Sequence, residues 1–260
     1  MDLKKACALL LGGYCVATTA GAQVAATPEP VSFSANVRVE VDAAGKPVSV
    51  KAPENLPAPV REFIEKRVAT WQYSPALQGG QPVPAVTFVS VGACAIPAAD
   101  GFRLGLDFKG NGPRLISARG HLVPPSYPFE ALRSGVSGTY RVTYSILADG
   151  STRVASVDVV DGRSPYGKVF RTSIERWAET LRYEPELVDG KPVSTSMSLP
   201  VVFSIHRGRR TGEAWRKAYL AELKARAIAS SECTAAAGTG SPMMPLAQDS
   251  PVKVMPVPAT

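Results

Sequence analysis

The chain has 260 residues, 45% of them hydrophobic and 20% charged, with a formal net charge of +7. That length holds one large domain or two small ones, and the composition is that of a globular protein rather than a fibrous or disordered one. The positive excess suits an anionic partner, but basic and aromatic residues are not interleaved as in a nucleic-acid reader, so no nucleic acid is expected.

The N-terminus reads as a processing signal. Lys4 and Lys5 precede a mostly apolar run from Ala6 to Ala17, and Ala20-Gly21-Ala22 supplies the small residues of a cleavage site. The run is shorter than the roughly 20 residues of a membrane span. Residues 1–22 are therefore expected to be a signal peptide, with Gln23 near the mature start; an uncleaved anchor is the alternative. Export leaves Cys94 and Cys233, neither in a CxxC motif nor near a histidine. In an oxidising compartment they are expected to form a disulfide.

The first unit is expected over residues 33–94. Val37, Val39 and Val41 alternate with Arg38 and Glu40 as in a strand with one buried face. Ala43-Ala44-Gly45 turns the chain into a second strand at Val48 and Val50. Pro59 opens a helix with Val60, Phe63, Ile64 and Val68 at helical spacing. After Gln78-Gly79-Gly80, Val86 and Phe88 start a closing strand. Residues 95–126 form a connecting segment. In it Phe102, Leu104, Leu106 and Phe108 predict a strand that either joins the first sheet or bridges the two units, and Gly110 to Pro113 reads as a turn.

The second unit, residues 127–206, repeats the plan. Tyr140, Val142, Tyr144 and Ile146 alternate, Asp149-Gly150 signals a hairpin, and Val154 to Val160 returns. Ser164-Pro165 reads as a helix start, followed by Phe170, Ile174, Trp177 and Leu181. Met197, Leu199, Val201 and Phe203 then alternate as the last strand. The units share text. IEKRVATWQYSPALQGGQPV from Ile64 and IERWAETLRYEPELVDGKPV from Ile174 match at a constant offset of 110 residues without a gap, so the chain carries one structural unit twice. A helix is expected over 212–229, and the Ala-, Gly-, Ser- and Pro-rich residues 234–260 are expected to be a disordered tail.

No catalytic constellation is present. GxSxG, HExxH, phosphate-loop and GxGxxG motifs are missing, and His121 and His206 have no second ligand at metal spacing. Glu184 and Glu186 flank Pro185 in what reads as an exposed turn, hence solvated surface. No cofactor or metal is expected, and the protein is read as non-enzymatic.

The run YPFEALRSGVSGTYRVTYSILADGS, the helix end LRYEP and the segment VDGKPVSTSMSLPVVFSI resemble the C-terminal domain of TonB proteins. That family shows a Tyr-Pro with a short helix, a G-x-V-x-V strand, a D-G hairpin, W-x-[FY]-x-P, G-K-P-V, and a last strand ending near a Phe. Trp71-Gln72-Tyr73-Ser74-Pro75 fits the fourth element in the first unit, and Leu181 replaces the Trp in the second. The resemblance implies an α+β fold of two tandem units, each a three-stranded antiparallel sheet covered by a helix, and a periplasmic location. It also implies a protein partner, an outer-membrane TonB-dependent transporter, whose extended segment adds as a strand to an open edge. That edge corresponds to 196–205, with Tyr127-Pro128 beside it. Tyr127, Pro128, Val201, Val202 and Phe203 are thus the candidate partner-binding residues.

A family member that transduces energy keeps an N-terminal span with a histidine and a long Pro-rich spacer. Here no histidine precedes His121 and that spacer is missing. The expectation is a periplasmic binding protein without the motor connection, with an anchored energy transducer as the alternative. A third reading, a cell-wall or lipid A binding module, draws on the basic segment 206–226, where Arg207, Arg209, Arg210, Arg216, Lys217, Lys224 and Arg226 outnumber the acids.

Overall fold

The computed structural model describes residues 31–99, 101–117, 122–161, 166–205 and 245–255, with positions 217, 220, 221 and 233. The expected signal peptide, His121, His206, Ser164, Pro165 and nearly all of the basic segment and of the helix over 212–229 lie outside the described residues.

Val31–Val41 (β1) and Pro47–Lys51 (β2) form the first hairpin. Val37, Val39 and Val41 are buried as their alternation predicts, while Arg38 and Glu40 pair with each other on the other face. Ala58–Ala69 (α1) carries Pro59 in its first turn, where no donor is lost, and buries Ile64 and Val68. Three short strands follow, Gln72–Tyr73 (β3), Ala76–Gln78 (β4) and Gln81–Val83 (β5). Ala85–Ala98 (β6) then runs antiparallel to β1 from Val41↔Ala85 to Val31↔Ala95. It is longer than its apolar alternation signalled. Gly101–Gly112 (β7) joins this first sheet along the far side of β6. Gly110 to Gly112 is therefore the end of a strand, not the turn expected there; the two glycines, at φ +151 and +148, let the strand end bend.

Arg114–Leu115 (β8) and Phe129–Arg133 (α2) lead into Gly138–Ile146 (β9) and Thr152–Asp161 (β10), the second hairpin. Gly167–Ala178 (α3) covers it, burying Phe170, Ile174 and Ala178. Tyr183–Glu184 (β11), Leu187–Val188 (β12) and Lys191–Pro192 (β13) precede Thr195–Phe203 (β14). β14 lies beside β9 in unbroken register from Thr195↔Ile146 to Phe203↔Gly138. Both sheets thus set a hairpin, a helix and a closing strand in the same order, each over its own core. Val37, Val39, Ile64, Val68 and Trp71 centre the first core, and Val142, Tyr144, Phe170, Ile174 and Leu199 the second.

The sheets interlock, and the first is larger than three strands. β12 crosses over to pair with β6 through Leu187↔Val86 and Val188↔Ala85, giving a six-stranded sheet. β8 pairs with β11. The tail corrects the expectation of disorder over 245–255. Leu246–Ala247 (β15) pairs with β14, and Val254–Met255 (β16) pairs with β3. Leu246 and Val252 are buried, which is what fixes this polar-looking segment. Cys94 of β6 is bonded to Cys233. Among the described residues no helix is long and apolar enough to cross a membrane.

Candidate strand-docking edge

Strand β14 is the last full-length strand on one side of the second sheet, with only the two-residue β15 beyond it. Its Ser196 amide donates to Asp249 Oδ1 at 2.6 Å, and its Ser196 carbonyl accepts from the Gln248 amide at 2.8 Å. Both groups of Ser196 therefore point away from β9. In a regular antiparallel ladder the direction repeats every second residue, so Ser198, Pro200 and Val202 also face outward. β15 takes the edge at Met197 and Ser198. Beyond Ser198, no described strand pairs with that side of β14. The edge expected to be open over 196–205 is thus closed at its start. Pro200 fits an outward position because it has no donor to lose from the ladder. Val202 is 46% exposed.

Other edges are less inviting. β10 carries register shifts at Val154/Ser156 and Val159/Asp161, and such bulges discourage pairing by a foreign strand. β2 is short, with a shift between Glu40 and Val41 on its partner. β6, which matches β14 at the 110-residue offset, has its outer side covered by β7 from Phe88 to Ala98.

The expected contact residues separate into two groups. Val201 and Phe203 are 1% and 3% exposed and face the core. Of the β14 trio, only Val202 shows a side chain to solvent. Tyr127 packs its ring 5.2 Å from Phe203 and 5.8 Å from Phe170, and its hydroxyl donates to the Val136 carbonyl at 2.5 Å. Burial pushes the Tyr127 hydroxyl above its ordinary pKa. Pro128 caps α2. Behind them the chain is pinned to α3, where Trp177 Nε1–H donates to the Val123 carbonyl and the Ser173 hydroxyl to the Ser126 carbonyl. Tyr127 therefore braces the end of β14 near Phe203, and Pro128 stands next to it at the start of α2. Sequence reasoning missed Ser196, Ser198, Pro200, Gln248 and Asp249, whose roles depend on which side of β14 meets the tail. Pro200 inside an apolar run was the one available signal.

The two glutamates need correction. Glu184 is partly exposed and paired with Arg114. Glu186 is fully buried, not solvated surface. It accepts hydrogen bonds from Thr87 at 2.6 Å, Ser250 at 2.7 Å and Thr195 at 3.0 Å. Asn111 Nδ2 extends the network by donating to Ser250 and to the Val252 carbonyl. Burial raises the Glu186 pKa, partly offset by these three hydroxyl donors and reinforced by nearby Asp249. With three hydroxyls bonded to it, this carboxyl holds the first sheet, the second sheet and the tail together.

Residues 123–205 match the family model described as Gram-negative bacterial TonB protein C-terminal. No curated protein matches the chain.

Proposed function

We propose, from the match of residues 123–205 to the family model of the C-terminal domain of Gram-negative bacterial TonB proteins, that the protein is a non-enzymatic periplasmic binding protein. It captures an extended segment of an outer-membrane transporter, or of another envelope protein, as an added strand on β14. The observation that carries this reading is the outer side of β14 past Ser198, straight in register and without a described neighbour, with Val202 exposed on it. Tyr127 supports the end of that strand, with Pro128 next to it. Residues 33–94 are read as a diverged copy of the same unit. The shared 110-residue offset, the same order of hairpin, helix and strand, and the equivalent helix-to-strand tyrosines Tyr73 and Tyr183 support this. In that copy the matching edge is filled by the chain's own β7.

Site-specific photo-cross-linking in periplasm-exposed cells tests the reading. A photoreactive residue in place of Val202 should yield an adduct with an outer-membrane transporter, and one in place of Val159, 52% exposed on β10, should not. Adducts from Val159 alone would move the site to the other edge of the sheet.

A further inference from the structure

Within Leu199–Phe203 the edge is poor in donors. Leu199, Val201 and Phe203 direct their amides to β9, and Pro200 has no N–H, so Val202 alone carries an outward N–H. Backbone hydrogen bonds are the main source of affinity when a strand adds to a sheet. A guest strand therefore gains most by reaching back to Ser198 and Ser196, and that stretch is already occupied. Leu246 and Ala247 pair with Ser198 and Met197, Gln248 donates to Ser196, and Asp249 accepts from it.

We propose that the C-terminal segment Pro245–Asp249 is an autoinhibitory strand, a resident occupant of the β14 edge that a partner strand displaces. The proposal rests on the edge-docking reading and adds its regulation. Displacement raises the outward donors from Val202 alone to Ser196, Ser198 and Val202. It also leaves the tail tethered, because Val252 is fully buried in the first core and β16 is held on β3. The strand therefore peels from its Pro245 end and can return. The attachment suits such a device: β15 is only two residues long and Gln248 and Asp249 are exposed, while the buried Leu246 side chain holds the closed state until a partner strand competes.

Two variants of the full chain bracket the equilibrium. Gln248→Pro with Asp249→Ala removes both contacts to Ser196 without touching a core side chain. Met197→Cys with Ala247→Cys ties the directly opposed pair, whose spacing suits a cross-strand disulfide. Fluorescent synthetic peptides are the probes: the protein's own residues 243–255, and N-terminal segments of TonB-dependent transporters from the same bacterium. Loss of two competing hydrogen bonds should tighten transporter-peptide binding roughly tenfold in the loosened variant. The oxidised locked variant should bind weakly, whereas the Met197→Cys and Ala247→Cys single variants, which keep Cys94–Cys233 and cannot lock, should bind like the native protein. The tail peptide should bind the loosened variant in trans and not the locked one. Transporter peptides that bind the native, loosened and locked proteins equally would overturn the autoinhibitory strand and leave edge docking standing. Binding lost in Val202→Pro yet unaffected by loosening would do the same. No peptide binding to any form would overturn both.

Discussion

The carboxylate of Glu186 accepts a hydrogen bond from the Thr87 hydroxyl at 2.6 Å, joining residues 99 positions apart at the seam between the two sheets. Glu186→Ala should destabilise the fold by about 2–4 kcal/mol in urea unfolding, because three hydroxyl donors lose one acceptor in a buried site. A loss no larger than that of an exposed Glu→Ala control, such as Glu54→Ala, would show the network to be dispensable.

The same residue predicts a pH dependence. Its folded pKa is raised, so above the ordinary glutamate value of about 4.3 the unfolded chain releases this proton while the folded chain keeps it. The stability it contributes is full below that value and is lost as pH rises through the folded pKa. Glu186→Gln should remove this slope. The stability difference between native protein and variant should shift in favour of the variant from acid toward neutral pH; a constant difference would contradict the prediction.

Gly150 sits at φ +79, and a Cβ there would collide with the Tyr183 carbonyl oxygen; Gly45, at φ +80, stands in the same relation to Tyr73. Gly150→Ala and Gly45→Ala should each cost about 3 kcal/mol or more, combining left-handed strain with the clash. Gly190, at φ +72, has nothing within 4 Å of such a Cβ. Gly190→Ala should cost only about 1 kcal/mol. Equal losses at Gly150 and Gly190 in thermal unfolding would mean that the close approach has no energetic weight.

The Cys94–Cys233 bond spans a sequence separation of 139 residues. A loop of that size corresponds to roughly 4–5 kcal/mol of stabilisation on the chain-entropy account. Cys94→Ser with Cys233→Ser should lower stability by about that amount. Ellman titration of the unfolded, unreduced protein should find no thiol in the mature chain; two would refute the pairing.

Val202→Pro should abolish partner capture, since it removes the one outward donor within Leu199–Phe203. Val202→Thr keeps the backbone and should change capture little. Circular dichroism and melting establish that the proline variant is folded. Undiminished capture by that variant would place the partner elsewhere.

Much of the fold was legible because period-two alternation marks half-buried strands: Val37–Val39–Val41 and Tyr140–Val142–Tyr144 needed no more than their pattern. Pattern failed where a residue's environment is supplied from far along the chain. Nothing near Pro185 reveals that Glu186 will meet Thr87 and Ser250, and Gly110–Asn111–Gly112 resembles a turn until β6 lies beside it. Strands as short as β15 and β16 cannot show a period, and the two apolar anchors, Leu246 and Val252, are diluted by Ala, Ser and Pro. At the edge, sequence located β14 but not its outward face, because that depends on the register of Ser196 against Gln248.

The strand pairing between β3 and β16 sets an order of events during synthesis. Ser74 donates to the carbonyl of Lys253, and Lys253 in turn donates to the Ser74 hydroxyl at 3.0 Å, across 179 residues. During synthesis Ser74, at the end of β3, therefore waits for a partner that lies 179 positions further along the chain. Contacts of such long sequence separation form late and slowly. A nascent chain that has not yet delivered Lys253 to Met255 therefore lacks the partner of β3, and its first unit completes only when those residues emerge.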